Sequence, residues 1–99
     1  MQVTVPHNTT KEEARKKIDL RLGQLMAQYG HYLSESQANW SGHHLDFSGK
    51  ARGFSASGTL DITDTEVIID GKVPLIAKPF EPRIKHAIEQ EAAAMFATA

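Results

Sequence analysis

The sequence predicts an α+β domain in the order β-α-β-β-β-β-α, with an antiparallel sheet packed against two helices. Three observations carry that expectation. Apolar residues recur every three or four positions from Ala14 to Tyr29, every second position between Glu35 and Ile76, and at helical spacing again after Pro82. A helix with one apolar stripe and a sheet with one apolar face each leave that surface wet unless they pack together.

The stretch "QVTVPH" puts Val3 and Val5 on one side and is stopped by Pro6, which suits a short edge strand. Thr9 or Thr10 caps the helix that follows. Glu12 or Glu13, three residues on, completes a capping box, and the acidic pair lies at the positive end of the helix dipole. Ala14, Ile18, Leu22, Leu25, Met26 and Tyr29 give this helix a buried stripe of about five turns. Gly30 is placed to end it.

The runs "SQANW", "HHLDFSGKA", "GFSASGTLDIT" and "TEVIIDGKVPLI" read as four strands of a meander, and Asp70-Gly71 reads as a two-residue hairpin turn. In "KPFEPRIKHAIEQEAAAMFATA" Pro82 fits a first helical turn, and Ile84, Ile88, Ala92, Met95 and Phe96 form the stripe. The alanines favour helix directly. The expected core is Ile18, Leu22, Trp40, Leu45, Phe47, Leu60, Ile62, Val67, Ile69, Ile84 and Ile88.

Composition narrows the function. The 99 residues make one α+β domain over 1–99, 40% hydrophobic and 23% charged, with a formal charge of -1. Eleven basic residues face twelve acidic ones, a balance that argues against nucleic acid, whose phosphates call for concentrated Lys and Arg. With no cysteine there is no disulfide, thiolate metal site or cysteine nucleophile. No apolar run approaches the ~18 residues of a transmembrane helix, and the N-terminus lacks a signal-type apolar stretch. The expectation is a cytoplasmic protein with no transmembrane segment.

"WSGHHLDF", from Trp40 to Phe47, concentrates the residues of chemical interest. As a strand-turn-strand it sends His44 and Asp46 to one face and His43, Leu45 and Phe47 to the other. Two ligands on one face fall short of the three or four that zinc takes, so no metal and no cofactor is expected. His7, beside a helix start, together with His43 and His44, is the candidate polar site. A lone histidine without a partnered nucleophile is weak evidence for catalysis, and no serine sits in a G-x-S-x-G elbow. No catalytic residue is assigned. The Ala-rich end of the second helix is wider than one stripe: Met95 and Phe96 read first as packing on the sheet, and otherwise as a candidate apolar surface for a partner, a dimer or a granule. Lys11, Arg15, Lys16, Lys17 and Arg21 read as a solvated helix face.

Taken end to end, the chain resembles the polyhydroxyalkanoate granule-region family, small bacterial proteins of the polyhydroxyalkanoic acid system. The resemblance rests on "VPH", "KEEARKKI", "WSGHHLDFS", "GTLDITDTEVII" and "VPLIAKPFEPRIKHAI". It implies a cytoplasmic protein associated with polyester storage, partnered by polyhydroxyalkanoate granules or granule proteins. The order of elements is also loosely similar to a shortened helix-grip fold, an analogy of fold alone.

Two functions follow as expectations. The first is a non-enzymatic accessory or binding protein that buries exposed apolar side chains of the second helix against a granule, an acyl ligand or a granule protein. The alternative is a small helix-grip-like ligand-binding protein or enzyme acting on a hydrophobic acyl ligand, its pocket lined by Trp40, Phe47 and Phe54. A homodimer is a third, plainer expectation.

Overall fold

The computed structural model describes residues 1–97. Its elements are β1 (Gln2–Pro6), α1 (Lys11–Tyr29), β2 (Glu35–Ser41), β3 (His44–Ala51), β4 (Phe54–Ile62), β5 (Glu66–Lys72) and α2 (Glu81–Phe96), with 3-10 turns at Gly30–Tyr32 and Leu75–Phe80. The β-α-β-β-β-β-α order is the one the sequence predicts. One sheet holds all five strands in the order β1-β5-β4-β3-β2, and every pairing is antiparallel.

Local chemistry accounts for the boundaries. Thr10 is the N-cap of α1, its Oγ1 accepting the Glu13 N–H at 3.1 Å, with Glu12 and Glu13 in the first turn. Gly30 does end α1, but in right-handed conformation (φ -58°). The chain tightens there into a 3-10 turn over Gly30–Tyr32. Gly42 takes φ +61° at the first position of the β2–β3 turn, the type II′ pattern, and Arg52 and Gly53 both take positive φ between β3 and β4, the type I′ pattern.

Asp70-Gly71, expected as a hairpin turn, lies inside β5. Asp70 pairs with Thr59 and Gly71 with Gly58, and Gly71 N–H also donates to the Met1 carbonyl at 2.8 Å. With neighbours on both sides taking its backbone groups, the dipeptide has no reason to turn.

Across the inner face of the sheet, Val3, Val5, Leu45, Leu60, Ile62 and Val67 meet Ala14 and Ile18 of α1 and Ala92 and Phe96 of α2 in one buried cluster. Leu22, Trp40, Phe47, Ile69 and Ile88 pack on it partly buried. Of the expected core residues only Ile84 stands outside this assembly, half-buried near the start of α2. Phe47 crosses the sheet over Gly58. A Cβ there would lie 2.5 Å from the Asp70 carbonyl and 2.7 Å from Phe47 Cζ, so only glycine lets the ring lie flat.

The two helices run in opposite directions over that face. Lys11, at the start of α1, reaches Asp64 in the β4–β5 turn at 3.5 Å, and beyond the end of α1 Leu33 lies over Gly49. Conversely α2 begins after Pro74 and finishes with Phe96 against His7. Burial falls off along both: Ala14, Ile18, Ala92 and Phe96 are buried at one end, whereas Met26, Tyr29 and Phe80 are exposed at the other. The molecule is therefore closed around His7 and open around Leu33.

Candidate functional site

Four places hold chemistry or unsatisfied surface. The closed end is organised by His7, the one buried polar side chain among the described residues, with 0% exposure. Its Nδ1 accepts the Thr9 N–H at 3.2 Å, which leaves Nε2 to carry the proton and donate to the Thr63 carbonyl at 2.8 Å. Phe96 lies 6.2 Å away, ring to ring, at 58°. Both nitrogens are spent on backbone, so the ring pins the end of β1 to the β4–β5 turn and has no atom left for a substrate.

On the outer face His44 stands between two carboxylates. Its Nδ1 is 2.5 Å from Asp61 Oδ1 on the neighbouring strand, and its Nε2 is 3.3 Å from Asp46 Oδ2, two residues along its own strand. The bond to Asp61 raises the His44 pKa above its ordinary value, and charge attraction to Asp61 and the contact with Asp46 add to that. The two carboxylates sit on opposite nitrogens of one ring, so the three groups do not converge on a point. Among the described residues, no group of three or more His, Asp or Glu could hold a metal ion. His43 sits in the turn, 4.0 Å from Glu12. His7, His43 and His44 thus occupy three separate surroundings and form no common polar site.

An apolar groove of about 340 Å³ lies between α1, α2 and the centre of the sheet, floored by Leu45, Phe47, Leu60 and Ile69. Except for Arg21 and Glu91, every side chain that lines it is apolar. Arg21 Nε donates to Glu91 Oε1, joining the helices over the groove, and Arg21 Nη1 donates to Gln24 Oε1 at 3.3 Å. Acceptance by Glu91 raises the guanidinium pKa above an already high value, so the cation is permanent.

At the open end the inner sheet face continues past the helices. Gly49, Ala51, Phe54, Ala56, Ile76 and Phe80 border a second apolar depression there. Leu75 is 82% exposed and Ile76 66%, with Phe54 and Phe80 more than half exposed.

The aromatic trio expected to share a pocket is dispersed. Phe47 lines the groove and Phe54 the open end, while Trp40 braces β2 on α1, its Nε1 donating to Asp19 at 3.3 Å beneath the Arg15 guanidinium, 4.8 Å from the ring centroid. The apolar tail takes the sheet-packing alternative. Phe96 is only 3% exposed and belongs to the core, and Met95 is half-buried along the groove. Lying three and four residues after Ala92, and seven and eight after Ile88, they share the helix face turned towards the sheet. Arg21 with Glu91 and the Leu75–Phe80 segment are what the sequence reading missed. One signal was present: Arg21 lies three residues after Ile18 and four before Leu25, at the margin of the stripe, whereas Pro74 to Ile76 read as the end of the last strand run.

Fold and site together define a small α+β protein with its helices on one face of an antiparallel sheet, closed at one end and open at the other. The chain belongs to the family described as "Putative polyhydroxyalkanoic acid system protein", whose model matches residues 1–96. That description links the protein to the polyhydroxyalkanoate system. Comparison with curated proteins finds no significant match, and comparison with solved structures finds none either. Among the described residues no helix is long and apolar enough to cross a membrane.

Proposed function

We propose that the protein is a non-enzymatic accessory protein of polyhydroxyalkanoate storage that docks on the polymer granule through its open end. The observation that carries this reading is the set of large apolar side chains left in water there: Phe54, Leu75, Ile76 and Phe80. A contiguous exposed apolar patch on a small protein marks a contact surface, and the family supplies the polymer as the hydrophobic body to be met. Pro74 and Pro79 stiffen the segment that displays Leu75 and Ile76, which lowers the entropy lost on docking.

Co-sedimentation with amorphous polyhydroxybutyrate particles, against polystyrene beads matched for size and charge, tests the reading. Selective binding to the polyester is expected. Exchanging both Phe54 and Ile76 for serine should reduce the bound fraction about tenfold or more, since two buried apolar side chains are worth about 3 kcal/mol together. Equal uptake by both particles, or no loss in the double variant, would sink granule docking at this end.

A further inference from the structure

The groove between the helices is a different surface from the open end, and its chemistry is that of a ligand site. About 340 Å³ stands open to solvent between the helices, above Leu45 and Val67, and its walls include the partly exposed Leu22, Leu25, Phe47, Ile69 and Ile88. An occupant has to be apolar along its length, because a polar group there would find no partner except at the Arg21–Glu91 bridge. At about 30 Å³ for each water-sized group, the volume accepts a chain of roughly ten carbons.

The bridge also specifies the head of the ligand. On its solvent side, Lys17, Gln24 and Met95 border a depression that shares Arg21 and Glu91 with the groove. Two cations, Lys17 and Arg21, outweigh one carboxylate at this opening. Of the five N–H groups of Arg21, one is given to Glu91 and one to Gln24. A planar carboxylate would meet the guanidinium with two parallel hydrogen bonds. Glu91, being about two-fifths exposed, can turn out to water when displaced.

We propose that the groove binds one medium-chain carboxylate amphiphile, its tail lying between α1, α2 and the sheet and its carboxylate on Arg21 in place of Glu91. Glu91 is then a competitor for the site, held by the protein itself. Binding here does not rest on granule docking, since the two use different side chains.

Titration of the labelled protein with decanoate below its micelle concentration, followed by amide NMR, tests the site. Shifts are expected at Leu22, Phe47, Ile88 and Met95. Arg21→Gln should weaken decanoate about tenfold by removing the paired hydrogen bonds, and Glu91→Gln should tighten it severalfold by removing the competitor. Decanol, with the tail but no charge, should bind more weakly and equally to the parent protein and to Arg21→Gln. Circular dichroism of both half-exposed variants checks that the helices persist. Three results would each overturn the assignment: no shifts in the groove, decanoate affinity indifferent to Arg21→Gln, or binding to anionic phospholipid vesicles without binding to decanoate.

Discussion

The two ends of the molecule are built from the same elements and differ in what their helices bring. At the closed end Ala14 and Ala92 let α1 and α2 come close to the sheet, and Ile18, Phe96 and His7 fill what is left. At the open end the helices offer Met26, Tyr29 and Ile84, which leave the sheet partly bare, and the chain between β5 and α2 adds Leu75 and Ile76 facing outward. One end therefore holds the fold, and the other is free to be used. Stability and the proposed contact surface are separable because they sit at opposite ends of one sheet.

Substitution at each end tests that separation most directly. Phe96→Ala should cost about 4 kcal/mol in urea unfolding, the range for emptying a buried aromatic site. Phe80→Ala, at the open end, should stay within about 0.5 kcal/mol. Comparable losses at both positions would mean that the open end is part of the core after all. At the boundary between the ends, Gly58→Ala should cost about 3 kcal/mol, because its methyl would press on the Asp70 carbonyl and the Phe47 ring. Were that variant as stable as the parent, Phe47 would not be fixed across the sheet, and the groove would lose its floor.

The smallest effect belongs to the outer face, which serves neither end. His44 has a pKa raised chiefly by Asp61, so its contribution to stability is fully present below its ordinary value near 6.5 and is lost as pH rises through the raised value. Stability should therefore decline gently over that window, and Asp61→Asn should flatten the decline. Because His44 is more than a third exposed, added salt should flatten it as well. A profile identical in the parent and Asp61→Asn would remove this pair from the account.

The fold was legible because the sequence changes period twice and marks its first helix with Thr10, Glu12 and Glu13. The closed end was legible only in part. Val3, Val5 and Ala14 look too small to anchor a core, and become anchors because β1 is drawn in beside β5, a pairing across more than sixty residues that no local pattern announces. Asp70-Gly71 carried a turn signal that two neighbouring strands override. The site was less legible still. Phe96 and Ile76 are equally apolar in sequence, and only the direction of α2 and the rigid turn before it bury one and expose the other. Arg21 looked like one more solvated cation until Glu91, seventy residues away, was found across the groove.

The pairing of β1 with β5 also sets when the protein can finish folding. Three hairpins, β2–β3, β3–β4 and β4–β5, join neighbours in the chain and can zip as soon as their residues are available. Strand β1, though it precedes the others in the sequence, has no place until Glu66–Lys72 exist, and His7 has no cover until Phe96 arrives. On a ribosome β1 must wait until β5 has emerged. β1 precedes the other strands in the sequence and is the last of them to be locked.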